Sequence, residues 1–486
     1  MNGLTTRRLF VAIFLLALFA MAVRETLDPD MWWHLRTGQA ILSDGIPKQD
    51  IFSFTVPDNE WITHEWLSEV VMWLGYRAGG LPGLILFFAA IIAATFWLVY
   101  IVCDGRPYLA AFVVLLAALA TAPFWGVRPQ MFNMLFTAAF VYLVERHRKG
   151  RVGRRALWLL PLLTLVWANL HSGYLLGIVL LLTYVVGGAL DGLKMSRQKI
   201  PVDWTPVGWL FLMTLVSFFI AVINPSGPAL WIYPFFTLGS HAMQRYIQEW
   251  QSPNFHLAIF WPFAVLLFLG ILSMIANRRR PTATEVLLFC STAAAGLLSS
   301  RHIPIFAIVS APIISRHLLD ALDGSPLYPW MSGRVKGEDS DRSIVINWIL
   351  LSIMILLAAV WIAGKIQTNE QAIAARFPVT AVDYLEQNNL DQAYGYNSYN
   401  WGGYLIWRGL PVFVDGRADV YGDDFLFDYR RTFDLSDRWQ LSLDEYNVDF
   451  VLIEQASPLA NLLEASGDWE RVYRDEVASL FLRADP

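Results

Sequence analysis

Polar positions in this chain are few, and they fall in bands between long apolar runs. Windows near 9–23, 81–103, 108–122, 131–144, 156–170, 173–190, 205–223, 257–276, 283–299, 303–320 and 344–364 carry almost no charge. Crossing the hydrocarbon core takes roughly 17–25 apolar residues, so about eleven membrane helices are predicted, the third, fourth and tenth being short. The first run follows Arg7 and Arg8, and no small-residue cleavage site comes after it, so it reads as an uncleaved helix rather than a signal peptide. Beyond 364 the pattern changes. Val379–Glu386 and Pro458–Ser466 read as helices, Pro411–Val414 and Val448–Ile453 as short buried strands, and Trp469–Val472 with Leu480–Arg483 as a closing strand pair. The expected organisation is a polytopic α-helical membrane domain over 1–364 and an α/β domain over 365–486.

Charge gives these spans a direction. With the N-terminus in the cytoplasm, the even-numbered connections hold Arg106, then Arg146, Arg148, Lys149, Arg151, Arg154 and Arg155, then Lys194, Arg197 and Lys199, then Arg278, Arg279 and Arg280, and finally Arg316. The short odd-numbered connections hold little beyond Arg128 and Arg301. An excess of Lys and Arg marks the cytoplasmic side, so the loops 24–80 and 224–256 and the tail 365–486 are expected to face outward from an inner (plasma) membrane. Composition agrees, since 56% of residues are hydrophobic and 16% charged, which excludes an ordinary soluble domain. The two cysteines, Cys103 and Cys290, lie in apolar runs and exclude a disulfide framework or a Cys/His zinc site.

The outer loop 24–80 shows two helical stripes, Trp32, Leu35, Gln39 and Leu42, then Trp66, Val70, Trp73 and Leu74. They predict amphipathic helices lying on the membrane surface. The polar residues at their starts carry the candidate chemistry. Asp28-Pro29-Asp30-Met31-Trp32-Trp33-His34-Leu35-Arg36 packs two carboxylates, a histidine and an arginine into nine residues beside the membrane, where charge is costly unless used. His64 and Glu65 open the second stripe. Most histidines, His34, His64, His171, His241, His256 and His302, fall on the same expected outer side. A nucleophilic hydroxyl or amide needs a carboxylate to orient and deprotonate it. Asp30 is the first candidate and Asp28 or Glu65 the second, with His34 an alternative base. A leaving phosphate needs a cation; Arg301 in Ser300-Arg301-His302 fits, with Arg128 and Arg36 as alternatives. Trp167–Gly173 and Asn224–Pro228 break the apolar runs, so Asn169 and His171 either line a cavity open to the outer side or form tight turns.

Asp30-Met31-Trp32-Trp33-His34-Leu35-Arg36 resembles the Asp-x-aromatic-aromatic-His/Asn-x-Arg run in the first outer loop of oligosaccharyltransferase catalytic subunits, members of the GT-C superfamily of membrane glycosyltransferases that use lipid-linked sugars. Ile247-Gln248-Glu249-Trp250-Gln251 is similar to the family's short motif ending in Glu. Ser398-Tyr399-Asn400-Trp401-Gly402-Gly403-Tyr404 resembles its Trp-Trp-Asp-Tyr-Gly acceptor-binding motif, and Val412-Phe413-Val414-Asp415 the strand that follows. The resemblance implies a GT-C-like fold, a catalytic Asp30, acceptor and metal contacts from Glu249, acceptor contacts from Asn400 and Trp401, and a magnesium or manganese ion held by Asp30 and Glu249. Two departures stand out. The connection Pro123–Gln130 has no carboxylate where the oligosaccharyltransferases carry a second acidic motif, which removes a usual metal ligand and leaves Asp28 and Glu249 to compensate. Asn400 stands where the acceptor motif has Asp, so an Asn-x-Ser/Thr acceptor does not follow.

The expected function is inverting transfer of a sugar or glycan from a polyprenyl-(pyro)phosphate donor to a protein, lipid or polysaccharide acceptor. A transporter, flippase or polymerase of lipid-linked glycans is the alternative, although no internal repeat or mid-span charge supports it. A non-catalytic GT-C relative is a third reading.

Overall fold

The computed structural model describes residues 3–277, 279–333 and 341–484. Arg278, one of the basic connection residues, lies outside the described residues, as do 334–340 and both chain ends. The membrane domain comprises α1 (Thr6–Ala22), α2 (Asp30–Asp44), α3 (Trp66–Val102), α4 (Tyr108–Thr121), α5 (Gln130–Arg148), α6 (Leu159–Leu170), α7 (Tyr174–Arg197) and α8 (Thr205–Ile220). It continues with α9 (Ala229–Gly239), α10 (His241–Tyr246), α11 (Trp261–Ala276), α12 (Ala283–Leu298), α13 (Ile303–Ala321), α14 (Tyr328–Met331) and α15 (Asp341–Gln367).

Every predicted apolar window lies on one of these helices. Among the described residues five helices are long and apolar enough to cross a membrane: Trp66–Val102, Tyr174–Arg197, Ala258–Ala276, Ser300–Ala321 and Asp341–Gln367. The difference from eleven is one of length. The 14 residues of α4 reach only about 21 Å at 1.5 Å per residue. The packed interior is apolar from end to end, with Phe88, Phe96, Phe140, Trp167, Phe263 and Phe306 fully buried. The outside is apolar too: Phe268, Ile275, Leu356 and Val360 are more than 60% exposed, which a protein tolerates only where hydrocarbon covers them.

The two stripes of the first long loop do form helices, but not on the membrane surface. The first is α2, sandwiched between α3 and the C-terminal domain with Met31, Trp32, Trp33, His34 and Leu35 buried. The second is the start of α3, set off from the membrane part by Gly80 (φ 61°) and Pro82. At their crossing, a Cβ on Gly38 would overlap the Glu69 carbonyl, so only glycine permits this approach. Trp32 and Leu35 of the first stripe fill a protein core, while Trp66, Val70 and Trp73 of the second are half-buried and Leu42 and Leu74 stay exposed.

The C-terminal domain contains α16 (Asn369–Ala374), α17 (Val379–Gln387), β1 (Gly395–Asn397), α18 (Gly402–Arg408), α19 (Ala418–Phe433), α20 (Leu441–Glu445), β2 (Phe450–Glu454), α21 (Pro458–Ser466), β3 (Trp469–Arg474) and β4 (Ala478–Arg483). The strands form one sheet in the order β1-β2-β4-β3, parallel between β1 and β2 and antiparallel elsewhere. The uninterrupted apolar run of β2 fits its central place, covered on both faces. The predicted strand Pro411–Val414 does not join this sheet. Val412 instead pairs with Ser53 of the first long loop, and Thr55 Oγ1 donates to Phe413 O at 2.8 Å. That segment is a seam between domains.

One buried ion cluster locks the seam. Arg417, 2% exposed, donates Nε and Nη2 to Asp415 (2.8 and 2.7 Å) and Nη1 to Asp50 (2.6 Å), between the rings of Phe52 and Trp61. Arg417→Met leaves two buried carboxylates without a counter-charge, a loss of about 3–5 kcal/mol. In detergent, Arg417→Met is expected to unfold well below the wild type, whereas Arg36→Met, whose arginine bonds only Gln39 of its own helix (2.8 Å) among the described residues, is expected to match it. Equal melting of all three proteins would show that the seam does not hold the domains together.

Candidate active site

The carboxylates of the Asp28–Arg36 run are placed by the start of α2. Asp28 Oδ1 accepts the backbone N–H of Asp30 (3.0 Å), one of the N–H groups a helix start leaves without an intrahelical partner, and Trp33 Nε1 donates to Asp30 Oδ1 (3.1 Å). From the connection before α5, Arg128 reaches across. Its Nη1 lies 3.2 Å from Asp28 Oδ2 and its Nη2 2.8 Å from Glu249 Oε1, while Nε donates to Gln130. Glu249 sits in a 3-10 turn, Gln248–Trp250, whose backbone is fastened by the hydroxyls of Ser299 and Ser300, both donating to Glu249 O (3.0 and 3.1 Å). Four elements distant in sequence thus bring Asp28, Asp30, Arg128 and Glu249 to one place.

Two cavities meet there. The first, about 350 Å³, is lined largely by apolar residues of α5, α7, α9 and α13, with Arg128, Glu249, Arg301 and His302 at its polar end. The Arg301 guanidinium lies over the Trp250 ring at 4.4 Å and has no carboxylate or hydrogen-bond partner among the described residues. The second cavity, about 580 Å³, lies against the C-terminal domain and is more polar, with Gln248, Glu249, Arg376, Tyr399, Asn400 and Arg430 in its wall. Glu249 belongs to both. A third, of about 360 Å³, shares Arg376, Asn400 and Glu454 with the second and has Trp401 in its wall.

The C-terminal domain closes over Asp30. A Cβ on Gly416 would overlap Asp30 Oδ1, and one on Gly403 would strike the Pro29 carbonyl. These close approaches explain Gly403 of the run Ser398–Tyr404 and Gly416 just after the run Val412–Asp415. The hydroxyl of Tyr399 donates to Gly416 O at 3.2 Å.

Other candidates stand behind the site. Glu65 Oε1 lies 3.0 Å from His171 Nε2 and 3.2 Å from His64 Nε2, and Glu65 Oε2 is 3.6 Å from His34 Nε2. His171 Nδ1 accepts the backbone N–H of Gly173 (2.8 Å), so its proton is on Nε2, facing Glu65. Its ring touches the first cavity, but both nitrogens are spent on protein. His34, buried between Glu65 and Glu69, and Arg36, turned to Gln39, line neither of these two cavities. His64 stacks on Tyr233, whose hydroxyl donates to Asp419 (3.0 Å). Asn169 accepts from Trp66 and donates to Ile223 O, the bonds of a turn rather than of a ligand site.

The electrostatics follow burial. Removal from water pushes the Asp30 carboxyl up to about 8, and Asp28 beside it acts in the same sense against the opposing pull of Arg128. Burial would also raise Glu249, but Arg128 and then Arg301 outweigh it and hold that carboxyl below its usual range. Burial brings His34 down to about 3 and His171 to about 4, keeping both neutral. Burial opposes the charge of Glu65 as well, yet His171 and His64 hold it ionised. At about 8 the Asp30 carboxyl is poised to exchange a proton near neutral pH, the condition for a general base.

The residues do not gather as a metal site. Among the described residues no group of three or more His, Cys, Asp or Glu side chains could hold an ion, and the two carboxylates facing each other, Asp28 and Glu249, close on a guanidinium. Sequence reasoning missed Ser299, Ser300, Trp250 and Gly416, whose roles depend on contacts across the fold. The one available signal was Arg128, the charged residue of a connection that carries no carboxylate where the oligosaccharyltransferases have their second acidic motif.

No protein-family model matches the chain, and no curated protein matches its sequence. Solved structures do match. The oligosaccharyltransferase of Archaeoglobus fulgidus tethered with an acceptor peptide containing the NVT sequon superposes with a TM-score of 0.54 at 11% identity, over 93% of this chain and 69% of that one. The archaeal oligosaccharyltransferase AglB from the same organism, in complex with an inhibitory peptide and a dolichol-phosphate, gives 0.53 at 10% identity, over 92% and 69%. ArnT from Cupriavidus metallidurans bound to undecaprenyl phosphate gives 0.51 at 15% identity, over 97% of both chains. The likeness is one of fold, and it spans both the helical membrane domain and the C-terminal domain of this chain.

If Asp30 is the base, activity requires its ionised form, which grows as pH rises through its raised pKa. The kcat/KM profile is expected to climb on an apparent pKa near 8. In Asp28→Asn the repelling charge is gone and Arg128 is freed toward Asp30, so the rise is expected to move to lower pH. A profile unmoved by Asp28→Asn would remove Asp30 from the titrating role.

Proposed function

We propose that the chain is an inverting glycosyltransferase that moves a sugar or glycan from a polyprenyl-phosphate or polyprenyl-pyrophosphate donor to an acceptor at the outer face of an inner membrane. The observation that carries this reading is the apolar cavity with an arginine in its wall, Arg301, that pairs with no carboxylate among the described residues. Such a cavity suits a prenyl chain with its phosphate at the polar end. Neighbours of the same fold that bind dolichol-phosphate and undecaprenyl phosphate support the same donor chemistry. The second, polar cavity suits an acceptor, with Asn400 and Tyr399 in its wall.

In the proposed reaction an acceptor hydroxyl or amide enters from the polar cavity and attacks the anomeric carbon. The new C–O or C–N bond forms as the bond from the anomeric carbon to the phosphate oxygen breaks, with inversion. The acceptor proton passes to Asp30, and the electron pair leaves with the polyprenyl-linked phosphate, whose charge Arg301 and the free edge of Arg128 meet. Glu249, on the wall between the cavities, orients the acceptor. The positive-inside distribution of the sequence supports an extracytoplasmic position for this site.

Three measurements test the reading. Transfer from defined polyprenyl-linked sugars in detergent is expected to fall by about a hundredfold or more in Asp30→Asn, the range lost with a general base. Undiminished turnover there sinks the assignment. Arg301→Gln is expected to lower kcat/KM by about a hundredfold, the scale of one lost electrostatic contact to developing charge. A reporter fused after the C-terminal domain is expected to be active only outside the cytoplasm; cytoplasmic activity inverts the topology.

A further inference from the structure

The resemblance implied a magnesium or manganese ion held by Asp30 and Glu249; here the space between Glu249 and the neighbouring Asp28 is filled by an arginine. We propose that Arg128 is a built-in cation that takes the place of the metal, so that transfer runs without a divalent ion. This rests on the glycosyltransferase reading above. The guanidinium bridges Asp28 (3.2 Å) and Glu249 (2.8 Å), on elements 221 residues apart in the chain, and is largely buried. A divalent ion bridging the same two oxygens at metal–oxygen distances of about 2.0–2.6 Å would occupy the volume of the guanidinium and repel it. No second acidic side chain comes from the Pro123–Gln130 connection to make room for both; that connection supplies the arginine itself.

The arginine also keeps donors to spare. A guanidinium carries five N–H groups. One at Nη1 goes to Asp28, one at Nη2 to Glu249 and the Nε proton to Gln130, which leaves two, and Arg128 is part of the donor cavity wall. A phosphate oxygen arriving there meets N–H groups on an arginine whose position is fixed by two carboxylates. A metal would act on a phosphate in the same two ways, bridging the acids and facing the leaving group. Unlike a metal, the arginine needs no loading, and it does not leave when chelated.

Binding of Mn2+, read by the loss of the free-ion resonance in electron paramagnetic spectra, tests this without any turnover. Wild type is expected to bind no Mn2+ at this site. Arg128→Ala takes the guanidinium from between Asp28 and Glu249 and is expected to bind Mn2+ in its place, and Glu249→Gln in that background is expected to abolish it. Arg128→Lys keeps a cation between the acids and is expected to bind none. Size-exclusion and melting profiles check that each variant is folded. In transfer assays, chelation with EDTA is expected to leave wild-type rates unchanged, whereas Arg128→Ala is expected to lose about a hundredfold or more and to recover in part with Mn2+ or Mg2+. Mn2+ binding by the wild type that Glu249→Gln removes, wild-type transfer abolished by EDTA and restored by Mg2+, or no Mn2+ binding by folded Arg128→Ala each overturns the proposal. Absence of any transfer by the wild type counts against the glycosyltransferase reading alone, because the Mn2+ experiment still decides whether Arg128 holds the cation's place.

Discussion

The buried cluster of Asp50, Arg417 and Asp415 is the constraint through which the two domains share one geometry. All three side chains are almost fully removed from water, and Tyr421 donates to Asp415 at 2.6 Å to complete it. Burying such charges is costly, and an apolar replacement of the same shape is often at least as stable. What the cluster supplies is registry. A guanidinium with bonds to acids from two domains is satisfied in one relative position, and sliding the domains leaves a charge stranded. That position brings the backbone of Gly416, the residue before Arg417, against Asp30. The first long loop and the C-terminal domain therefore move as one body, with the candidate base inside it.

The same domain holds the second loop. Asp423 accepts from Ser240 Oγ (2.5 Å) and from the backbone N–H of His241 (2.8 Å), capping α10, and Asp419 accepts from Tyr233 of α9. Glu249 follows α10 directly and is tied on its other side to Ser299 and Ser300. Each carboxylate of the site thus rides on an element held from two directions. That rigidity is the requirement for acids kept a few ångströms apart, because like charges that could move would separate. Arg128 between them removes the repulsion as well as the freedom.

How much of this was legible in the sequence depended on the range of the interactions involved. The apolar windows depend on local composition, and each lies on a helix. The run of β2 and the helix Pro458–Ser466 were readable for the same reason. The stripes of α2 and early α3 were readable as helices but not in their partner, since a Trp-rich face suits a lipid interface and a protein interface alike. What covers Trp32 is Phe377, Tyr404 and Trp407, far away in the chain. Val412 looked like a sheet strand because buried β-pairing leaves the same pattern whichever partner it takes. Among the site residues, Asp30, Glu249 and Arg301 were identified one by one from charge at a membrane boundary and from resemblance. That His34 and Arg36 face other partners could not be read, since helix position fixes a direction and not the neighbour found there. Glu65 with its three histidines is a supporting cluster that sequence spacing alone cannot distinguish from a ligand set.

The two arginines at the junction show how a low-dielectric site can be charged before its substrate arrives. Arg128 is compensated twice and stays fixed whatever enters. Arg301 is compensated by no carboxylate within bonding distance and is steadied instead by the face of Trp250, an interaction that leaves its N–H edge open. In the proposed reaction the donor phosphate docks on that open edge, and chemistry then adds charge to the leaving phosphate while a proton moves to Asp30. A carboxyl held near 8 by burial and by Asp28 gains basicity as its surroundings become more negative. Phosphate arriving at Arg301 works in that direction, so the donor itself strengthens the base that its acceptor requires.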